Sequence, residues 1–186
     1  ACMLLYLSIV KIILHWRGKI KDNTDILIAF GGALVGSLTF TFTDSQWFNA
    51  VEAEVYAMST FFTAIVVWLI LVWSENADKD GNERYILIIA YMFGLAIGVH
   101  ILNLLTLPFL ALIIYFRKTT FEWKTFFITM GMTAAVFLVI HNGIIKGLPR
   151  LSKLMGLGGV AFLVLIIFAI TLWAIKNKQQ LLSLVF

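Results

Sequence analysis

The sequence has little charge and only one cysteine, and each shortage excludes a class of protein. Charged residues make up 13% of its 186 residues, whereas about 25% is usual for a soluble domain. A soluble fold of this size could not cover so much apolar surface with so few polar side chains. The single Cys2 excludes a disulfide within the chain. No P-loop, HExxH metal motif or nucleophile elbow is present.

Instead of charged residues, the sequence contains long apolar runs. Hydrophobic residues make up 61% of the chain, and no charge interrupts Phe61–Trp73, Phe126–Ile140 or Gly156–Ile175. Runs of roughly 18 or more apolar residues suit a bilayer core about 30 Å thick. The sequence therefore predicts an all-α, polytopic transmembrane bundle in a lipid bilayer. The net charge of +4 lies in short clusters at helix ends, so we expect no nucleic-acid partner.

The apolar runs predict about seven membrane segments within one transmembrane domain, residues 1–186. Because residue 1 is Ala and both ends are apolar, we expect a fragment of a longer membrane protein. Lys146–Gly156 is expected to be a loop or an interfacial segment. The predicted segments are Ala1–Leu14, Ile26–Phe42, Val55–Trp73 (with a helix starting as early as Ala50), two short helices within Tyr85–Phe116, Phe121–Asn142 and Val160–Ile175.

The run Tyr85–Phe116 is too long for one straight membrane helix. At 1.5 Å per residue it would be about 48 Å long, against a core of about 30 Å. Both of its flanks are basic, with Arg84 before it and Arg117 and Lys118 after it. We therefore predict a hairpin of two short helices that turns near Gly98–Asn103.

The basic residues predict which way the segments cross, because cytoplasmic loops of membrane proteins are rich in Lys and Arg. With the His15–Lys21 loop in the cytoplasm, the loop Thr43–Glu54 lies outside, in the periplasm if the membrane is a bacterial inner membrane. The outer side then holds only Lys146, Arg150 and Lys153. The cytoplasmic side holds Arg17, Lys19, Lys21, Lys79, Arg84, Arg117, Lys118, Lys124, Lys176 and Lys178.

The outer loop between the second and third segments carries the first candidate site. It holds Asp44, Glu52 and Glu54 beside the aromatic residues Trp47 and Tyr56. Carboxylates at a membrane boundary can act as a general base, bind a metal or hydrogen-bond a sugar. In the alternative interpretation the acids favour a helix dipole at its N-terminus and the aromatics belong to the interfacial belt.

The position of the next helix start decides which of these side chains face each other. If a helix begins near Ala50, then Asn49, Glu52 and Tyr56 share one face. Glu54 would point away from Glu52, since two residues are about 200° apart around a helix. In an extended loop the two carboxylates would instead be a pair.

Two further groups of polar residues are candidates. His100 and Asn103 lie at the predicted hairpin turn, and polar groups between apolar helices are functional candidates; alternatively, Asn103 only binds the freed backbone of the turn. Lys146 and Arg150, with Lys153 nearby, are candidates for a lipid phosphate or belong to an ordinary loop. The spacing of Gly32 with Gly36, and of Gly94 with Gly98, predicts close helix packing.

Two long strings resemble one family. TFTDSQWFNAVEAEVYAMSTFFTAIVVWLIL (residues 41–71) and YILIIAYMFGLAIGVHILNLLTLPFLALIIYFRK (residues 85–118) are similar to the DUF2723 membrane proteins of bacteria with two membranes. That family has a vertebrate relative that O-mannosylates proteins and is grouped with GT-C glycosyltransferases. The resemblance extends over about Met3–Leu151. It implies a GT-C-like membrane enzyme that moves a sugar from a polyprenyl-phosphate donor to an extracytoplasmic acceptor, either protein or glycan.

The resemblance also implies roles for individual residues. The main base of the family lies in an Asp-x-Gly-Glu-type motif that this chain lacks, so its own carboxylates are expected to be supporting groups, with a divalent metal as a candidate cofactor. Glu54 is the first choice, followed by Glu52 and Asp44. The residues implied to line the cavity are Trp47, Asn49, Tyr56, His100 and Asn103, the last two in a Gly-Val-His-x-x-Asn pattern.

From the residues alone, two other classes of function stay open: a transporter and a non-catalytic subunit. Short broken helices at membrane depth also build the substrate sites of transporters, although no internal repeat is present and few polar residues lie within the segments. A chain without the first-loop acids also suits a non-catalytic subunit of a larger membrane assembly. The upstream sequence separates these, because an Asp-x-Gly-Glu motif in a preceding outer loop favours the enzyme.

The predicted hairpin can be tested by labelling. In a background with Cys2 replaced by Ser, we expect Val99→Cys to react with a membrane-impermeant thiol reagent added from outside, or to be protected by burial, because the hairpin turns on that side. Labelling only from the cytoplasmic side would contradict the hairpin and reverse every later segment.

Overall fold

The computed structural model describes residues 1–18, 20, 22–52 and 55–183, with side chains as far as residue 169 and at Trp173. In these ranges every regular element is helical. In chain order the elements are α1 (Cys2–Arg17), α2 (Asn23–Ile26), a π-helical stretch (Leu27–Gly31), α3 (Gly32–Thr41), α4 (Asp44–Val51), α5 (Tyr56–Asn76), α6 (Glu83–Val99), a 3-10 helix (Ile101–Leu105), α7 (Thr106–Lys118), α8 (Trp123–Leu138), a second π-helical stretch (Val139–Ile145) and α9 (Gly147–Ser183).

The helices have the length and composition of a membrane protein, which confirms the predicted fold class. Each predicted membrane segment falls on a helix. Among the described residues, four helical stretches are long and apolar enough to cross a bilayer: Asn23–Thr41, Tyr56–Asn76, Ile101–Lys118 and Trp123–Ala169. The chain forms two compact units, Ala1–Thr133 and Ala134–Phe186.

Helix α5 is the central helix of the first unit. It packs against α1, α6 and α7. Its residues Val66, Ile70 and Trp73 are almost fully buried, and their spacing of four and three places them on one face of the helix. The same helix therefore contacts both arms of the predicted hairpin.

Small residues let α1 and α3 approach each other closely. A Cβ atom added at Gly36 would lie 3.3 Å from Cδ1 of Ile9, and one added at Gly32 would lie 3.7 Å from Cδ1 of Ile13. Larger side chains at these positions would push the helices apart, as in other small-residue helix contacts. The predicted packing role of this glycine pair is confirmed.

The second glycine pair behaves differently. A Cβ atom added at Gly94 or at Gly98 would meet no atom within 4 Å. Among the described residues, this face of α6 therefore has no close helix neighbour, and the expected packing role is wrong for this part of the chain.

The predicted hairpin is confirmed by contacts at both ends of α5. After α6 the backbone becomes extended at His100, with φ −153° and ψ 130°. The side chain of Asn103 then bonds to Ser59, near the start of α5, whereas Arg117 bonds to Ser74, near its end. The chain therefore reverses at the 3-10 helix, and α7 runs back along α5.

The outer loop contains a separate helix, and α5 begins at Tyr56, next to the predicted start at Val55, so the alternative of a helix that starts near Ala50 is wrong. Thr43 caps α4, its Oγ1 accepting a hydrogen bond from the backbone N–H of Gln46 at 3.4 Å. The helix ends at Glu52, where φ is −70° and ψ is 134°. Because the chain is extended there, Asn49, Glu52 and Tyr56 do not share a helical face.

The structure separates the two alternatives for Lys146–Gly156, a loop or an interfacial segment. The stretch is helical from Gly147 onward, so it is not a loop, whereas an interfacial position stays a prediction. The α9 helix is interrupted at Gly156, whose φ of 71° and ψ of 173° favour glycine because an L side chain rarely adopts a positive φ.

Candidate functional site

The polar turn between α6 and α7 is held against the start of α5. We call the residues involved, Tyr56, Ser59, Thr63, His100 and Asn103, the turn site. Asn103 is 3% exposed. Its Oδ1 accepts hydrogen bonds from Ser59 Oγ at 2.9 Å and from Thr63 Oγ1 at 2.7 Å, and its Nδ2 donates to the carbonyl oxygen of Ala96 at 2.5 Å.

These partners determine the orientation of the Asn103 amide. The Ala96 carbonyl can only accept, so it must face the NH₂ group, which leaves Oδ1 for the two hydroxyls. The bond to Ala96 satisfies backbone near the end of α6, as the alternative interpretation of Asn103 expected. The bonds to Ser59 and Thr63 go further, because they fasten the turn to another helix.

The same turn fixes the protonated nitrogen of His100. The Nδ1 atom accepts a hydrogen bond from the backbone N–H of Leu102 at 3.2 Å, so His100 caps the 3-10 helix. An imidazole nitrogen that accepts carries no proton, and a neutral ring then bears its proton on Nε2. The ring lies beside that of Tyr56, with centroids 5.4 Å apart. His100 therefore offers one N–H donor next to a phenol.

Asp44 lies in the first turn of α4 and is exposed to solvent. A carboxylate there interacts favourably with the helix dipole, as the alternative interpretation of this residue expected. Trp47 and Phe48, on the same helix, are 60% and 63% exposed. Asn49 is partly buried. This short helix presents large aromatic side chains outward, as expected at a membrane boundary.

The other two carboxylates of the outer loop are Glu52 and Glu54. Glu52 is exposed where α4 ends, and Glu54, the first choice from the sequence, lies outside the described residues. In the described part of the chain, no hydrogen bond or ion pair joins Asp44 or Glu52 to the turn site. The structure thus brings Tyr56, His100 and Asn103 together, and none of the carboxylates that it describes hydrogen-bonds to them.

A metal site is not formed by the side chains that the structure describes. Among them, no three His, Cys, Asp or Glu residues come together in a way that could hold a metal ion. A divalent metal, which the resemblance offers as a cofactor, therefore stays a prediction.

The candidate phosphate-binding residues belong to the second unit. Lys146 lies in the turn before α9, and Arg150 and Lys153 lie on its first turns; all three are exposed. A spacing of three residues places Arg150 and Lys153 on one side of the helix. Their role toward a lipid phosphate stays a prediction.

Sequence analysis missed Ser59 and Thr63, the two residues that bind Asn103. In an apolar helix, hydroxyl residues commonly bond to their own backbone, as Thr60 does to the carbonyl of Tyr56. Their spacing of four residues was the available signal, because it places both hydroxyls on one helix face. Tyr56, three residues before Ser59, lies on the same side.

Fold and site together define a helical membrane protein with a polar turn fastened to one end of its central helix. Residues 1–123, about two thirds of the chain, match the family of the protein O-mannosyl-transferase TMEM260 N-terminal domain. The chain belongs to this family, whose members are membrane glycosyltransferases that act on protein. The expected likeness to an O-mannosyltransferase is thereby confirmed, although the match ends at Trp123 rather than near Leu151. Searches of curated proteins and of solved structures gave no match.

Replacing the amide of Asn103 tests how far the turn depends on it. We expect Asn103→Leu to lower the free energy of unfolding by about 2 kcal/mol, because it leaves buried polar groups without partners. Thermal unfolding in detergent measures the change. Asn142→Leu is the matched control, since Asn142 is exposed.

A second variant separates hydrogen bonding from packing. Adding Ser59→Ala and Thr63→Val to Asn103→Leu removes the hydroxyls together with their acceptor, which costs less than leaving them unpaired. We expect the triple variant to regain part of the lost stability. Equal stability of the Asn103→Leu and Asn142→Leu proteins would show that the amide does not hold the turn.

Proposed function

We propose that the protein containing this chain transfers a sugar from a polyprenyl-phosphate-linked donor to a hydroxyl group of an extracytoplasmic protein. We further propose that it is a DUF2723-type enzyme with a GT-C fold. The observation that carries the proposal is the family match over residues 1–123, a range that includes the whole turn site. A glycan acceptor is the alternative substrate for the same chemistry.

The surroundings of the turn support a lipid-linked donor. Leu102 and Leu105, on either side of Asn103, are 58% and 63% exposed, so apolar surface adjoins the polar turn. A donor with a long apolar tail and a polar sugar phosphate needs both kinds of surface next to each other.

The charge rule supports an outer location for this chemistry. The turn site lies at the N-terminal end of α5, next to the acidic loop. The excess of Lys and Arg near the C-terminal end of α5 indicates that this end faces the cytoplasm. In a bacterium this orientation would put the site on the periplasmic side of the inner membrane. Donor and acceptor would then meet outside the cytoplasm.

The proposed step is a substitution at the anomeric carbon of the sugar. A carboxylate takes the proton of the acceptor hydroxyl, the acceptor oxygen bonds to the anomeric carbon, and the bond to the phosphate oxygen breaks. The polyprenyl phosphate leaves with the electron pair and an additional negative charge. We assign the supporting carboxylate to Glu54 first, and then to Glu52 or Asp44, with the main base upstream of this chain.

Positive groups or N–H donors stabilise the charge that develops on the leaving phosphate. Within the turn site, the Nε2–H of His100 and the phenol O–H of Tyr56 are donors with this capacity. Tyr56 and Asn103 would line the cavity, together with Trp47 and Asn49 of the outer loop. Lys146 and Arg150 are the cationic candidates, and their contribution requires that the second unit lies near the donor.

Glu54 can be tested in the full-length protein. We expect Glu54→Gln to reduce transfer from a polyprenyl-phosphate sugar by roughly tenfold or more, because the neutral amide cannot supply the negative charge of the supporting carboxylate, and to leave membrane insertion intact. Glu83→Gln, in the first turn of α6 at the other end of α5, is the matched control. Transfer rates equal to those of the control would remove Glu54 from the site.

The proposed role of His100 in sugar transfer can be separated from its role as a helix cap. We expect His100→Asn to keep the turn folded, because Asn is also a good capping residue, and to reduce transfer by roughly tenfold or more through loss of the N–H donor. Thermal unfolding and transfer assays measure the two effects. His141→Asn is the control, and full activity of His100→Asn would restrict His100 to capping.

The second candidate is a non-catalytic membrane subunit. In the described part of the chain, which does not include Glu54, no carboxylate hydrogen-bonds to the turn site, and a subunit needs none. The sequence of the full-length protein distinguishes the two functions. An Asp-x-Gly-Glu motif in an outer loop before residue 1 favours the enzyme, and its absence from the complete gene favours the subunit.

A further inference from the structure

A cavity of about 610 Å³ lies between α1, α5 and α7. It is at the opposite end of α5 from the turn site, where α5 ends and α7 finishes. Its volume is in the range of small-molecule sites, which is about 300–1,000 Å³. Most of its wall is apolar, formed by Ile12, Leu71, Phe109, Leu112, Ile113 and Phe116.

Two cations also line this cavity. Lys11 Nζ lies 2.5 Å from Glu75 Oε2. Arg117 donates from Nε to the carbonyl oxygen of Ser74 at 2.7 Å and also pairs with Asp78. These bonds use two of the five N–H donors of the guanidinium, and the other three make no hydrogen bond to the residues that the structure describes.

The lining has more positive than negative charge. It contains Lys11 and Arg117 but only one carboxylate, Glu75. Asp78 does not line the cavity, and its side chain is 79% exposed. Partly exposed ion pairs contribute little, about 0–1 kcal/mol each, so an incoming anion can share these cations at small cost.

We propose that this cavity binds one membrane phospholipid, with an acyl chain along the apolar wall and the phosphate at Lys11 and Arg117. Arg is suited to this role because its planar fork binds phosphate through two parallel hydrogen bonds. A phospholipid satisfies the apolar wall and the two partly exposed cations with one molecule. Under the predicted orientation it belongs to the cytoplasmic leaflet, so it is distinct from the proposed sugar donor.

The tail can be located by photolabelling. The full-length protein is placed in nanodiscs containing phosphatidylglycerol with a diazirine in its acyl chain, and labelled residues are mapped by mass spectrometry. We expect labelling at Phe109 to exceed that at Phe127, which is 63% exposed on α8, by roughly tenfold. Leu112→Trp should reduce it by filling the cavity, whereas Leu87→Trp, at a position 70% exposed, should not.

The contact with the phosphate is tested by comparing two probes that differ in this group. Diacylglycerol with the same diazirine chain should label Phe109 roughly tenfold less, because it lacks the phosphate, and Lys11→Gln should lower labelling by phosphatidylglycerol. Lys124→Gln is the control cation. Equal labelling by both probes, uniform labelling of all exposed residues, or a cross-link from Phe109 to another protein segment would overturn the proposal.

Discussion

The buried amide of Asn103 is the contact on which the arrangement of the first unit depends. A polar side chain between apolar helices is costly unless its hydrogen bonds are made. Asn103 makes three, to Ser59 and Thr63 of α5 and to the end of α6. Because the three hydrogen bonds can only be made together, the amide determines where the chain reverses. It also determines that α7 packs along α5.

This constraint extends to the opposite end of the central helix. Once the turn is fastened near Ser59, α7 runs along α5 and brings Arg117 to Ser74. The reversal therefore generates both polar regions of the first unit, the turn site at one end of α5 and the cationic cavity at the other. A single straight helix across Tyr85–Phe116 would have produced neither of them.

The sequence predicted the structure correctly where the length of an apolar run and the charges beside it determine the fold. The excessive length of Tyr85–Phe116 and its basic flanks predicted the hairpin and located its turn within a few residues. Hydropathy could not detect the separate α4, because that depends on one cap at Thr43 and one extended residue at Glu52. It also could not reveal that Ser59 and Thr63 bind another helix, since the same hydroxyls could have bonded to their own backbone.

For Lys146–Gly156 the sequence offered a loop or an interfacial segment, and the structure contradicts only the loop. The basic residues and glycines of this stretch are typical of a loop, but only Gly156 has a backbone conformation that interrupts the helix. The other residues can continue a helix. Composition alone does not distinguish one interrupted residue from a whole loop.

The protonation of His100 limits how the proposed chemistry is divided between side chains. While Nδ1 accepts from Leu102, that nitrogen is occupied and Nε2 carries the proton, so a neutral His100 can donate but cannot take a proton from an acceptor. To act as a base it would have to release the cap of the 3-10 helix, next to the amide that fastens the turn. A turn of this kind is suited to stabilising a leaving phosphate and must obtain its base from another element. The carboxylates of the outer loops are the groups that can supply this base, and this follows from the hydrogen bond of His100 without the family match.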